Sequence, residues 1–302
     1  MKVLIHILIA ILLFHITSFS QTTNKNYNKL KNGNNILIKE YEDTLSLLLD
    51  SINNAKFDSN KYAANESFIK NLKEVLTYKI SYEYPFNLLK ISKIRAGDDS
   101  FRIFNWFIKK SNGSFDYYAI MHLYNKKNNK LDIVEFINKP KKPRNINQAE
   151  TNHENWFGCL YYDIIYIKKQ GRSFYTLLGW DGNDDYSRKK IIDVLYFKNK
   201  EIKFGLPVFK RGKEVLKRII LEYDAKTLIS LKYHKESKEI IFNNLIPPKK
   251  ELIGMEEYYI PDGNFNSYTY KQGKWWFNEN VDIRNSQKTK KIKKPKMGLI
   301  PN

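Results

Sequence analysis

Local chemistry in this chain centres on Trp180-Asp181-Gly182-Asn183-Asp184-Asp185. Oxygen donors recur at alternate positions, Asp181, Asn183 and Asp185, around a glycine that lets the backbone bend, and such a wrap of hard ligands suits a cation such as calcium. The EF-hand pattern is incomplete: counting from Asp181, position six is Tyr186 where glycine is needed and position twelve is Ile192 where a bidentate glutamate is needed. The competing reading is a polar turn whose Asp side chains accept from nearby backbone amides. Asp184 and Asp185 are also the candidate carboxylates of a hydrolase, with His153 as acid/base partner. His153-Glu154 does not complete an HExxH zinc pattern, no G-x-S-x-G elbow occurs, and GLPVFKRGK (Gly205 to Lys213) has the wrong spacing for a phosphate loop. The single cysteine, Cys159, excludes an internal disulfide and any cysteine-built metal site, and its neighbours suit a small core residue. Calcium is thus the one cofactor to consider; no other is expected.

Two basic clusters suggest binding instead. Lys139, Lys141, Lys142 and Arg144 lie in a proline-stiffened loop, and Lys290, Lys291, Lys293 and Lys294 in the tail QKTKKIKKPK. Anionic envelope polymers or lipid surfaces are the partners such clusters would meet outside the cytoplasm. Sequence-specific nucleic-acid readout is not expected, since no recognised module is visible. The net charge of +20 points the same way, but only 8 of the 52 cationic residues are Arg, and a lysine- and asparagine-rich composition is also what A/T-rich coding produces.

The elements that must position these residues are mostly strands. From Tyr41 the apolar series Tyr41, Leu45, Leu48, Leu49, Ile52 has helical spacing, and a second helix is expected around Phe68, Leu72, Val75 and Leu76, with Asn65 as N-cap and Tyr84-Pro85 as its end. After Pro85 the period falls to two. Phe101 to Phe107 and Phe115 to Tyr124 read as a hairpin, Leu160 to Ile167, Ser173 to Trp180 and Ile191 to Phe197 as further strands, and Glu222 to Phe242 as a three-stranded meander. A last hairpin joins Phe265–Tyr270 to Lys274–Phe277. In FYTLLGW, Phe174, Leu178 and Trp180 alternate with Tyr175 and Leu177, so both faces of that strand require cover. The fold class is therefore mainly β: an antiparallel, meander- and hairpin-built sandwich or propeller-like body with a short two-helix N-terminal element.

Residues 1–20 read as a cleavable signal peptide: Lys2, an apolar stretch from Val3 to Ile16, and Ser18-Phe19-Ser20 before Gln21. No second segment has the roughly 20 apolar residues of a membrane span. The expected organisation is then a polar linker at 21–40, a helical element at 41–84, an antiparallel β domain at 85–285 and a basic disordered tail at 286–302.

In order along the chain, FRIFNW (Phe101 to Trp106), FYTLLGWDGND (Phe174 to Asp184), RKKIIDVLYF (Arg188 to Phe197), FGLPVF (Phe204 to Phe209), RIILEY (Arg218 to Tyr223), and VDIRN (Val281 to Asn285) resemble an uncharacterised family of secreted, signal-peptide-bearing proteins of Gram-negative bacteria. The resemblance implies export and a β-rich body, and brings no catalytic residue with it. The resulting expectation is an exported, periplasmic or extracellular protein acting as a non-catalytic binding or envelope-associated structural module. Its alternatives are a hydrolase built on Asp181–Asp185 and a basic protein coating anionic envelope polymers or lipids.

Overall fold

Strand after strand in this chain is apolar on both faces, and the fold answers with stacked layers. The computed structural model describes residues 27–125, 127–138, 143, 145–169 and 172–282. Helices α1 (Tyr27–Asn54) and α2 (Asp58–Val75) form an antiparallel pair at the start. The first sheet is β1 (Ser92–Arg95), β2 (Phe101–Lys109), β3 (Phe115–Asn125) and β4 (Lys130–Phe136), paired in chain order. The middle sheet holds β5 (Thr151–Asn152), β6 (Leu160–Lys169), β7 (Arg172–Asp181), β8 (Ser187–Lys198) and β9 (Glu201–Phe204). The chain then leaves it for β10 (Phe209–Arg211) and β11 (Glu214–Leu216), and returns with β12 (Ile219–Asp224) to pair with β8. Strands β13 (Leu231–His234), β14 (Glu239–Ile246), β15 (Ile260–Lys271) and β16 (Lys274–Asn278) complete an outer sheet ordered β11-β10-β16-β15-β14-β13.

Alternation assigns each face to a core. On β2, Phe104, Trp106 and Ile108 face the helices, where they meet Ile38, Leu45, Leu49, Phe68 and Leu72. Phe101 and Ile103 face the middle sheet, against Tyr175, Leu177, Ile191 and Leu195. The other side of that sheet, through Phe174, Leu178, Ile192 and Val194, packs on Ile240, Phe242, Tyr268 and Trp275 of the outer sheet. The order is helices, first sheet, middle sheet, outer sheet: a sandwich, with no radial blades. Trp180 leaves the expected face of β7 at the strand's end and packs on Phe107 and Phe115.

Several expectations are corrected. Helix α1 spans Tyr27–Asn54, so the described part of the segment expected as linker is helical, and Ile38 within it is buried. Within α1 only Tyr27 and Leu30 are apolar before Ile36, and the buried Glu42 interrupts the stripe; its carboxylate takes the Tyr84 hydroxyl and the Leu88 N–H. Asn65 is no N-cap. It sits inside α2, whose cap is Phe57, and accepts the Trp106 indole N–H at 2.7 Å. Helix α2 stops at Val75 and a 3-10 turn, Lys79–Tyr82, carries the chain to Pro85. The meander over Glu222 to Phe242 is broken: β12 belongs to the middle sheet, and only β13 and β14 pair with each other.

Candidate functional site

The turn after β7 is bound up in its own structure. Asp181 is buried; its Oδ1 accepts the Tyr117 hydroxyl at 2.9 Å and the Asn183 N–H at 2.9 Å, while the same hydroxyl takes the Gly182 N–H at 2.7 Å. Asp184 Oδ1 accepts from the Tyr186 and Ser187 N–H groups, and Asn183 donates its amide to Asp184 Oδ2 and Ser187 Oγ. Asp185 lies over Gly113, where φ is +83° and an added Cβ would sit 2.5 Å from its carboxylate oxygens. A Cβ on Gly182 would collide with the Phe115 ring, so both glycines allow this turn to nest against the β2–β3 hairpin. Of the donors proposed for calcium, Asp181 Oδ1 is held within the turn and Asn183 turns its amide N–H groups to Asp184 and Ser187, and among the described residues no three His, Cys, Asp or Glu side chains are grouped to hold a metal ion.

His153 is elsewhere. It stands on the 3-10 turn His153–Asn155, capped by Asn152 and next to β5, which pairs with β9 at Asn152↔Lys203. Lys203 pairs in turn with Tyr196 near the end of β8, whereas the Asp184-Asp185 turn lies before Ser187 at its start. At ~3.3 Å per strand residue the two positions are roughly 30 Å apart. The structure does not bring Asp184 or Asp185 to His153. The basic candidates Lys139, Lys141, Lys142, Arg144, Lys290, Lys291, Lys293 and Lys294 lie outside the described residues, as does the 1–20 segment.

Cys159 is fully buried, and burial, followed by the charges of Asp193 and Asp181, pushes its thiol pKa well up, opposite to what a nucleophilic thiolate requires. It borders a polar cluster in the core between the first and middle sheets. Arg218 Nε lies 2.8 Å from Asp193 Oδ2, Tyr161 donates its hydroxyl to the same oxygen, and Trp156 donates its indole N–H to Tyr161. A bulge in β6 between Tyr161 and Asp163 interrupts the ladder and leaves the Tyr161 N–H to be taken by Asn105 of β2. These bonds tie the first and middle sheets together.

Among the described residues, two surfaces stand out as uncommitted, and the sequence predicts neither. The first is a groove of about 440 Å³ bordered by Tyr162 and Asp163 of β6, Lys190 of β8 and residues 229–233 leading into and along β13. Lys190 shares a face with Ile192 and Val194, the face turned to the outer sheet; a lysine at that parity in RKKIIDVLYF is the one signal that sequence could have given. The second is an exposed apolar group at one end of the molecule: Tyr186 on the β7–β8 turn, Leu228 before β13, and Ile253, Met255 and Tyr258 before β15. Backbone bonds from Ala225 N–H to the Tyr186 carbonyl and from Asp224 N–H to the Tyr259 carbonyl hold the three loops together.

Compared with protein-family models, curated proteins and solved structures, the chain matches none of them.

Proposed function

We propose that this chain is an exported, non-catalytic binding module of the bacterial envelope whose partner is a protein. The observation that carries the reading is the loop-borne apolar group, with Tyr186 78%, Leu228 85% and Ile253 69% exposed. Backbone bonds draw the loops that carry these side chains together, and monomeric soluble proteins seldom leave large apolar patches uncovered. Around it stand Lys249, Lys250, Glu251, Glu256 and Glu257, a mixed polar rim of the kind that surrounds the apolar centre of protein interfaces. Export is supported by the signal-like first twenty residues and by a motif order that resembles that of secreted proteins. No helix among the described residues is long and apolar enough to cross a membrane.

The test compares wild type with a Leu228→Asp, Ile253→Asp double variant, both expressed with the first twenty residues and recovered from the envelope. N-terminal sequencing should read from Gln21. Wild type should sediment with one envelope protein fraction and the double variant should stay in solution, with equal far-ultraviolet spectra. Equal sedimentation of both, or turnover of ester, glycoside or peptide substrates that disappears in Asp184→Asn, would defeat the reading.

A further inference from the structure

The groove beside β13 is a step between two layers. Its floor is the middle sheet, where Tyr162 and Lys190 point toward the outer sheet but lie beyond its last strand; its wall is the edge of β13. The pairing of β13 with β14 shows which backbone groups face the step. Asn243 donates its N–H to the Ser230 carbonyl, so in the alternating antiparallel pattern Ser230, Lys232 and His234 turn toward β14 while Leu231 and Tyr233 turn outward. The Leu231 carbonyl takes the Tyr162 hydroxyl at 2.9 Å. The outward N–H groups of Leu231 and Tyr233 and the Tyr233 carbonyl have no partner among the described residues.

The charge in the step is also unanswered. The Lys190 ammonium rests 4.8 Å from the Tyr162 ring centroid and meets no carboxylate or carbonyl among the described residues, although its neighbour Lys189 is paired with Glu222. Burial alone lowers its pKa, with no acid to restore it. The acid of the groove, Asp163, acts on Tyr162 and Tyr233 instead. A half-buried lysine without a counter-ion is stabilised by any anion delivered to it.

We propose that the groove receives an extended peptide, which adds to the edge of β13 as one more strand of the outer sheet and sets an Asp or Glu side chain against Lys190. Strand addition takes affinity from backbone bonds and specificity from alternate side chains, and the step offers both elements together. An acidic sugar would use the charge but not the edge. Moreover, the one ring on the floor, Tyr162, is already covered by Lys190 and held by its hydroxyl. This inference rests on the binding-module reading and gives it a ligand class; Leu228, next to the first groove residue, makes the apolar end continuous with the step.

The test is selection of a displayed library of random ten-residue peptides on the intact mature chain, followed by calorimetry with the synthetic consensus. Enriched peptides should alternate β-forming residues around one Asp or Glu. Lys190→Met should weaken the consensus by about tenfold, and N-methylation of its alternate amides by at least as much. Lys190→Arg, which keeps the charge, should retain binding, and serves if Lys190→Met melts early. Consensus peptides indifferent to Lys190 and to N-methylation would overturn the inference. So would Lys190-dependent binding of polygalacturonate with no peptide enriched, an outcome that leaves the binding-module reading standing. Failure of the peptides while Leu228→Asp, Ile253→Asp still abolishes envelope association overturns this inference alone; loss of both removes the reading as well.

Discussion

Arg218 and Asp193 bring opposite charges into a fully buried site, and the balance between them is a stability matter. Burial works against the guanidinium, but Asp193, helped by Tyr161 and Cys159, offsets it and the pKa moves up; Nη1 also reaches the Ile146 carbonyl, while Nη2 finds no partner among the described residues. Breaking such a pair leaves one charge stranded, so Asp193→Asn should lower unfolding free energy by about 3–5 kcal/mol, whereas Asp193→Leu combined with Arg218→Met should cost much less. Urea melts of the three variants check this; equal losses would mean that packing, not charge, dominates. His122 gives a pH signature. It is buried on β3 beside Arg102, with the Tyr82 ring 5.1 Å away and the Leu76 backbone near, and neither ring nitrogen is bonded among the described residues. Burial, then the Arg102 charge, pushes its pKa from 6.5 down to about 3. The unfolded chain therefore binds a proton that the folded one refuses: stability is full above pH ~6.5 and falls toward pH ~3 at up to ~1.4 kcal/mol per unit. His122→Phe should flatten that slope, sparing roughly 3 kcal/mol between pH 6.5 and 4; an unchanged slope would refute the assignment. Residues of this kind are illegible in a sequence. Asp181, Asp184 and Asp185 stand out because they are clustered, yet the turn itself uses Asp181 and Asp184, while Lys190 is inconspicuous until the sheet face it shares is known.

Helix α2 shows how an element can be right and its parts misread. Phe68, Leu72 and Val75 fall on one face as their spacing predicts, but Asn65 belongs to the same buried face, and its polarity looks like a helix start only because Trp106 is forty-one residues away in sequence. Asn65→Leu would strand the Trp106 indole N–H between helix and sheet, so it should destabilise by ~1–3 kcal/mol, and the further change Trp106→Phe should recover part of that loss. Thermal melts of the single and double variants decide it, additivity being the contrary result. The strands were legible for a simple reason: period-two alternation and polar turns are local. Their assignment to sheets was not, because a strand apolar on both faces looks the same in any inner layer. Between Asp224 and Leu231 the chain changes sheet through a turn in which Asp224 caps the Lys226 N–H and Thr227, a grammar indistinguishable from a hairpin's. Short strands such as Thr151–Asn152 and Phe209–Arg211 exist only through their partners, the latter lying parallel to β16, and local periodicity carries no trace of them.

At the scale of the whole molecule, two kinds of binding become separable. At one end of the molecule the apolar loops and the β13 step adjoin, and the contacts proposed there depend on apolar burial, backbone pairing and a single ammonium. The net charge of +20 is instead carried by many lysines along the chain, and any anionic layer would feel it. These respond oppositely to salt. Raising ionic strength from about 0.05 to 0.5 M shortens the screening length to a few ångström. Adsorption of the full chain to phosphatidylglycerol vesicles should then fall by more than about tenfold, because it sums many exposed charges. Binding through the apolar end should hold or strengthen, since burial of apolar surface does not depend on screening. Vesicle flotation and envelope-protein sedimentation across the same salt series make the comparison in one preparation. If envelope association collapses in parallel with vesicle binding, and Leu228→Asp, Ile253→Asp leaves both untouched, the lysines are the functional surface and the apolar end is not.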